Sequence, residues 1–205
     1  MYMKEIIILM KKVFLDTETT GLEPGEILQL TYCICDTNAE GIEKVCYSKN
    51  FFFAVDYVEP SAQAVHGFDV KTLERLSNGQ TFKSVAKEIA EDLKGGIFVA
   101  HNVKFDKKFI SAEFNRLCNI NWAPSEFFCT MEYFKDIVQA KTKTGRLKNP
   151  RLEETMDFLN VNRDTVLKGS KKLFGCDDVG FHDARYDVAA LVSCYYKAQK
   201  LGYEL

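Results

Sequence analysis

The sequence has little of several features that mark particular classes of protein. Only four of its 205 residues are proline, and no Pro-rich or Ser-rich linker, internal repeat or low-complexity tract divides it. The early apolar run Ile6–Met10 falls far short of the roughly 20 residues that span a bilayer, and no later run does better. We therefore expect one compact domain over residues 10–205, with residues 1–9 either an N-terminal extension or the first part of the first strand.

Cysteine pairs and an excess of basic charge are also missing. The seven cysteines are an odd number, contain no C-x-x-C pair and lie mostly in apolar stretches, which favours reduced, buried thiols over disulfides or zinc. The start of the chain lacks the cleavage site of a secretory signal, so a cytoplasmic location is expected. With 27 basic and 29 acidic side chains, the formal net charge is -2, so any binding to nucleic acid must depend on local clusters of charge.

The hydrophobic pattern predicts an α/β fold with a mixed sheet. Three strand-like runs, at 13–17, 26–36 and 42–54, are joined by turns too short for a parallel crossover, so an antiparallel meander is expected. Helical and strand-like patterns then alternate in the overall order β-β-β-α-β-α-β-α. The later predicted elements are a helix at Thr81–Leu93, a strand at Ile97–Ala100, a helix at Val103–Leu117, a strand at Phe127–Thr130 and a helix at His182–Lys200. The basic stretch 141–151 is predicted to be a loop.

Four carboxylates fall at positions that favour a metal site. Asp16 and Glu18 end the first strand and, because strand side chains alternate with period two, project from the same face. Asp106 and Asp187 lie on or beside the apolar faces of two helices, where an isolated charge would be very unfavourable. A buried salt bridge is one alternative, but neighbouring positions on these faces supply no cation. Gathered carboxylates call instead for divalent ions.

The residue types also indicate which ions and which reaction. Oxygen ligands without a Cys-His cluster favour Mg²⁺ or Mn²⁺ over zinc. Two such ions, about 4 Å apart, hold the attacking and leaving oxygens of a phosphoryl displacement, which makes phosphodiester hydrolysis the leading chemistry. Of the three histidines, His182 is the candidate general base. It precedes Asp187 by five residues, a spacing that places it in the loop before the helix rather than on the same helical face.

Three segments together resemble the motifs of the DEDDh family of 3′ to 5′ exonucleases, the group typified by the proofreading epsilon subunit of bacterial replicative DNA polymerase. They are Asp16-Thr17-Glu18-Thr19-Thr20-Gly21-Leu22, His101-Asn102-Val103-Lys104-Phe105-Asp106 and His182-Asp183-Ala184-Arg185-Tyr186-Asp187, and both order and spacing agree. The resemblance runs from about Val13 to Ala198. It includes Val65-His66-Gly67 before a helix and Pro150-Arg151-Leu152-Glu153-Glu154 opening another helix. It implies a ribonuclease-H-like, five-stranded mixed sheet, with three antiparallel strands and then parallel strands, flanked by helices.

The resemblance also implies roles for individual residues. Positions that match Asp16, Glu18, Asp106 and Asp187 hold two divalent ions in the family, and the position that matches His182 is the general base. Substrate-lining roles are implied for Thr19, Thr20, Gly21, Leu22, His101, Asn102 and Phe105. A glycine in this set suits close approach of the backbone to a ligand, because it has no Cβ.

The expected partner is the 3′ end of a nucleic acid, with release of nucleoside 5′-monophosphates. Single-stranded or frayed DNA is favoured, and a separate polymerase is a further candidate partner. Basic residues that could guide the strand lie close together in sequence: Lys141, Lys143, Arg146, Lys148, Arg151, Lys168, Lys171 and Lys172. Two alternatives stay open. One is an exoribonuclease that trims RNA or short oligonucleotides, and the other is a non-catalytic module that binds nucleic acid or a polymerase.

Overall fold

The structure, a computed structural model, describes residues 11–37, 43–117, 120 and 122–205. Within these ranges one five-stranded sheet has the order β3-β2-β1-β4-β5, with β1 antiparallel to β2 and parallel to β4. Its strands are β1 (Lys11–Thr19), β2 (Ile27–Thr37), β3 (Glu43–Phe52), β4 (Ile97–Ala100) and β5 (Glu126–Cys129). The predicted mixed sheet of three antiparallel and then parallel strands is confirmed.

Eight helices lie in the described part of the chain. They are α1 (Pro60–His66), α2 (Val70–Ser77), α3 (Phe82–Leu93), α4 (Val103–Arg116), α5 (Thr130–Val138), α6 (Leu152–Phe158), α7 (Arg163–Phe174) and α8 (Ala184–Lys200). The three predicted helices correspond to α3, α4 and α8, with ends that differ by one or two residues. At α8 the difference matters, because His182 lies outside the helix and Asp183 is its N-cap.

The hydrophobic pattern missed α1, α2, α5, α6 and α7, so the predicted element order was incomplete, although the family resemblance had implied helices at the places of α2 and α6. Helices α1 and α2 have only 7 and 8 residues, about two turns each, in which an apolar period is hard to recognise. Helix α5 begins at Thr130, where the strand was predicted to continue. Helix α7 is rich in lysine and contains Gly169, a residue that disfavours helix interiors.

The alternation of side chains along β1 decides which groups meet on each face of the sheet. Val13 and Leu15 pack in the same apolar cluster as residues of α3 and α4, whereas Phe14 packs with residues of α8. By the same period of two, Asp16 and Glu18 extend the face of Phe14. The end of β1 therefore presents two carboxylates toward α8.

The stretch predicted as a loop at 141–151 is partly folded. Lys141 and Leu147 form an antiparallel bridge, and the N–H of Thr142 donates to the carbonyl of Arg146 at 2.8 Å. The N–H of Lys148 donates to the carbonyl of Ala140 at 2.9 Å. Residues 140–148 thus form a small hairpin, called the basic hairpin below, and α6 follows it.

Other sequence expectations concern the cysteines and the membrane. Among the described residues, Cys33, Cys35, Cys129, Cys176 and Cys194 form no disulfide bond. The sulfurs of Cys33 and Cys35 lie 3.8 Å apart on one face of β2, as their spacing predicts. The side chain of Cys46, Cys118 and the predicted extension at residues 1–9 lie outside what the structure describes. No helix among the described residues is long and apolar enough to cross a bilayer.

Candidate active site

Three of the four predicted metal ligands converge in space. Carboxylate oxygens from Asp16, Glu18 and Asp187 all lie within 4.8 Å of one another. Asp16 and Glu18 come from the end of β1, next to a shift in the pairing register with β2, and Asp187 comes from the first turn of α8. All three side chains are only half-buried, so the cluster is open to an incoming ligand.

Asp106, in the first turn of α4, reaches the end of β1 on the face of the sheet that packs against α4. Its carboxylate is buried and accepts a hydrogen bond of 2.9 Å from Thr17 Oγ1. Thr17 lies between Asp16 and Glu18 in β1, so its side chain points to the opposite face of the sheet. Asp106 is therefore a neighbour of the three-carboxylate cluster rather than a member of it. The sequence pattern did not assign Thr17 this role, although a polar residue at a core-facing strand position was the available signal.

Burial and mutual repulsion oppose ionisation of these carboxyl groups. Burial raises the pKa of Asp16 well above its usual value, and Asp106, Asp187 and Glu18 raise it further. Burial, followed by the charge of Asp187, raises the pKa of Glu18 in the same way. Burial is also the main reason that the pKa of Asp106 and of Asp187 rises to about 7.

The chemistry of this donor set fits hard divalent cations. None of the ion pairs between described residues joins any of the four carboxylates to a lysine or an arginine. A positive charge between them would offset the burial that raises all four pKa values and the repulsion that adds to it at Asp16, Glu18 and Asp187. Carboxylate oxygens are also the ligands that Mg²⁺ and Mn²⁺ prefer. The cluster can thus hold a metal ion, with Asp106 placed to support it.

His182 lies in the turn before α8, as its spacing predicted. Its backbone has a φ of 60°, in the left-handed region, and its side chain is 58% exposed. Its ring Nε2 lies 3.9 Å from Glu153 Oε1 of α6. These residues line a cleft of about 240 Å³ together with Arg163, Phe181, Tyr186 and Asp187. His182 therefore shares a cleft with one of the clustered carboxylates, and Glu153, which sequence reasoning did not single out for this, lies beside its ring.

A second cleft, of about 350 Å³, adjoins the cluster at Glu18. Four predicted substrate-lining residues form part of its wall, namely Thr19, Gly21, Leu22 and Phe105. Helix α1, which the sequence pattern missed, supplies Ser61, Ala62, Val65 and His66. Leu22 is 76% exposed and Val65 is 64% exposed, so two large apolar side chains face an open cleft next to the carboxylates. Such a surface can pack against an apolar or aromatic ligand group.

Gly21 is approached closely by another group of the protein, the side-chain carboxyl group of Glu59. A Cβ at this position would clash with the side-chain carboxyl group of Glu59, the N-cap residue of α1. The N–H of Glu59 also donates to the carbonyl of Thr20 at 2.9 Å. The segment after β1 therefore packs closely against the start of α1, the helix that forms part of the wall of the 350 Å³ cleft.

The other three predicted substrate-lining residues make contacts within the protein. Thr20 Oγ1 accepts from the N–H of Glu26 at 2.9 Å. His101 has both ring nitrogens engaged, at 3.0 Å from Thr130 Oγ1 and 3.0 Å from the carbonyl of Pro150, and burial lowers its pKa. Asn102 is the N-cap of α4 and has a φ of 87°. Their contact with substrate stays a prediction.

A buried polar network holds the beginning of α8 in place. Arg185 pairs with Asp183 at 2.7 Å, and both side chains are more than nine-tenths buried. Gln29 of β2 donates from Nε2 to Asp183 Oδ1 at 3.0 Å and accepts from the N–H of Ala184 at 3.3 Å. Gln29 is also the register partner of Glu18 in the β1–β2 pair. The network therefore aligns the strand that carries Glu18 with the helix that carries Asp187.

The sheet order and the acidic cluster at the end of its central strand define a nuclease-type domain of ribonuclease-H-like fold. The chain belongs to the RNase_T exonuclease family, whose model matches residues 13–195. This family membership confirms the resemblance seen in the three sequence motifs.

Curated relatives and solved structures agree with this assignment. The chain is 34% identical over 123 residues to the 3'-5' exonuclease DinG of Staphylococcus haemolyticus, a match that covers 58% of this chain and 13% of the relative. It is 31% identical over 149 residues to DinG of Staphylococcus aureus strain USA300, covering 72% of this chain and 16% of the relative. The chain thus spans a small part of these relatives' length.

The fold is shared with Exonuclease I of E. coli. A crystal structure of that protein in complex with a dT13 oligonucleotide superimposes with a TM-score of 0.63 at 16% sequence identity. The match covers 94% of this chain and 42% of Exonuclease I. At this identity the likeness establishes the fold alone.

Proposed function

We propose that this chain is a metal-dependent 3′ to 5′ exonuclease that hydrolyses the terminal phosphodiester bond of single-stranded or frayed DNA and releases nucleoside 5′-monophosphates. The convergence of Asp16, Glu18 and Asp187 within 4.8 Å is the observation that carries the proposal. DNA is favoured over RNA because Exonuclease I, which has the same fold, was crystallised with a DNA oligonucleotide. The proposal includes one exonuclease domain over residues 10–205, acting in the cytoplasm.

The proposed cofactors are two divalent ions, Mg²⁺ or Mn²⁺, held by Asp16, Glu18, Asp106 and Asp187. When bound, such ions stabilise negative charge on the attacking and leaving oxygens of the phosphoryl displacement. The half-buried carboxylates of Asp16, Glu18 and Asp187 would bind the ions on one face of β1. Asp106, which accepts a hydrogen bond from Thr17, lies on the other face. A preformed acidic site of this kind binds metal without moving the backbone.

The protein's own side chains supply the proton transfer. His182 is the proposed general base, which accepts a proton from the attacking water at a ring nitrogen. Its exposed position in the cleft that Asp187 also lines lets the ring turn toward the cluster, and Glu153 lies beside the ring. The two clefts then have separate tasks: the 240 Å³ cleft is the proposed place of the proton transfer, and the 350 Å³ cleft is the proposed place of the terminal nucleotide.

Specificity for a strand end is argued from the 350 Å³ cleft. Its volume is near the lower limit for small-ligand sites, which suits one nucleotide better than a continuous duplex. Leu22, Val65 and Phe105 offer apolar packing for an unpaired base, and Thr19 and Gly21 offer backbone groups for the sugar and phosphate. Helix α1 forms one wall of this cleft, and we propose that the strand ends against it.

The test is the release of nucleotides from single-stranded DNA oligonucleotides labelled at the 5′ or 3′ end, with Mg²⁺, Mn²⁺ or a chelator. We expect metal-dependent shortening from the 3′ end, and loss of that activity to background in Asp16→Ala. Asp136→Ala, at an exposed position of α5, is the matched control and should behave as the unchanged protein. Cleavage at internal bonds, or full activity of Asp16→Ala, would contradict the proposal. Parallel RNA substrates test the exoribonuclease alternative.

A further inference from the structure

The basic hairpin, residues 140–148, is the strongest charged feature outside the clefts. It carries four cations, Lys141, Lys143, Arg146 and Lys148, and no carboxylate. Lys148 forms an ion pair with Glu154, but no ion pair among the described residues includes any of the other three. All three are exposed, and so is the neighbouring Leu147, at 66%.

The hairpin has a defined shape rather than that of a loose, solvated loop. The Lys141–Leu147 bridge closes it, and the N–H of Gly145 donates to the carbonyl of Thr142 at 2.9 Å. The hydroxyl of Thr142 lies 2.9 Å from the hydroxyl of Thr144 and accepts from the N–H of Arg146 at 3.1 Å. The three cations are therefore presented on a structured turn, which reduces the entropy lost when they bind.

Its base is fixed to the edge of the sheet where the catalytic cluster lies. Pro150, two residues after the hairpin, accepts from the ring of His101, and His101 directly follows β4, the parallel neighbour of β1. Glu153 follows three residues after Pro150 and lines the cleft of His182. The chain from Leu147 to Glu153 can extend at most about 20 Å, so the bridge that closes the hairpin is within a few nucleotides of the proposed scissile bond.

We infer that the basic hairpin binds the phosphate backbone of the single strand being degraded, a few nucleotides to the 5′ side of the terminal nucleotide. The inference rests on the proposed exonuclease function and adds a second contact to it. Three cations without carboxylates match a polyanion, and Leu147 gives an unpaired base an apolar surface. The lysines of α7, which sequence reasoning grouped with these, lie between the middle and the end of a helix that packs on α8 and on β3. Beside them, the carbonyl of Leu173 accepts from Ser48 of the edge strand β3 at 2.6 Å. They are assigned no part in this contact.

The experiment compares two triple variants of equal charge. The test variant is Lys141→Gln, Lys143→Gln and Arg146→Gln, and the control is Lys168→Gln, Lys171→Gln and Lys172→Gln on α7. Each is made in the Asp16→Asn protein, and its binding to a fluorescent oligothymidylate of about 20 nucleotides is followed by anisotropy across salt concentrations. For the test variant, we expect binding about tenfold weaker at low salt and a log–log salt slope shallower by about 2, at about 0.7 for each cation removed. The α7 control should bind the oligonucleotide with the same affinity and the same salt slope as the Asp16→Asn protein.

Turnover in proteins that retain Asp16 separates this inference from the proposed function. The hairpin variant should raise KM for the long oligonucleotide without changing kcat, and should leave cleavage of a dinucleotide unchanged, because a dinucleotide cannot reach the hairpin. An unchanged salt slope, an equal loss in the α7 control, or an equal loss on the dinucleotide would overturn the inference. If the unaltered protein cleaves no substrate, the proposed function fails, whereas the anisotropy result still decides whether the hairpin binds the strand.

Discussion

At the scale of single residues, the proposed chemistry depends on where the His182 ring can point. The ring is mostly exposed, and its Nε2 is 3.9 Å from Glu153 Oε1, too far for a direct hydrogen bond. Charge rather than a fixed bond therefore links the two. Glu153 also raises the pKa of Asp187, after burial and Asp183, so one carboxylate influences both the base and the metal cluster.

We expect His182→Ala to lower turnover by about 10²-fold or more, because the attacking water loses its proton acceptor, while calorimetry still detects binding of Mn²⁺. Glu153→Gln should lower turnover by a smaller factor. We expect the effect of Glu153 on His182 to outweigh its effect on Asp187, so the double variant should be no slower than His182→Ala alone. Steady-state kinetics measure all three, with Glu91→Gln on the exposed face of α3 as control. If the losses of turnover in the two single variants multiply in the double variant, Glu153 acts independently of His182.

At the scale of secondary-structure elements, the site depends on how firmly α8 is fixed to the sheet. The Asp183–Arg185 pair is buried, and Arg185 makes a further bond of 2.9 Å to Asp178. Asp183 also caps α8 by accepting from the N–H of Arg185. The chain offers a direct comparison, because Arg163 and Asp157 form a similar pair at 3.1 Å that is largely exposed.

Removing the arginine from each pair should have very different effects. Arg185→Met leaves Asp183 as an uncompensated buried charge, so we expect the free energy of unfolding to fall by roughly 3 to 5 kcal/mol. Arg163→Met removes an exposed pair and should lower it by no more than about 1 kcal/mol. Urea unfolding of the metal-free proteins measures both values. Similar losses in the two variants would show that the buried network does not fix α8.

At the scale of the whole molecule, the acidic cluster makes stability depend on pH and on metal. The folded, metal-free protein holds Asp106 and Asp187 at a pKa of about 7, above their usual 3.8, and raises the pKa of Asp16 and Glu18. Between about pH 4 and about pH 7, the folded state therefore binds more protons than the unfolded chain. Stability from this source is fully present below about pH 4 and is lost as the pH rises through about 7.

The variant Asp16→Asn isolates this contribution. In chelator, it should melt at a higher temperature than the unaltered protein, by a few degrees per kcal/mol of relieved repulsion, and the gap should be wider at about pH 8 than at about pH 5. Saturating Mn²⁺ should raise the melting temperature of the unaltered protein more than that of the variant. Calorimetric melts measure both effects, with Asp136→Asn as control. A gap that does not change with pH would contradict the assigned protonation of the cluster.

The site was more predictable than the fold around it. Asp16, Glu18 and Asp187 converge as their placement on strand and helix indicated, and His182 lies in the predicted turn. The short helix α1 was missed, and with it the wall of the 350 Å³ cleft that carries Val65. A motif of several polar residues is specific over a few positions, whereas a two-turn helix gives too few apolar repeats to recognise.

The sequence by itself determined what depends on neighbours along the chain. The period of two in β1 places Asp16 and Glu18 on one face, and the spacing to α8 leaves His182 outside the helix. Tertiary structure alone decided that Asp106 approaches through Thr17 from the opposite face, that Glu153 lies beside His182, and that His101 fixes the base of the basic hairpin. Local spacing controls contacts within one element. Contacts between distant elements depend on how their apolar faces pack together, and that information is spread over the whole chain.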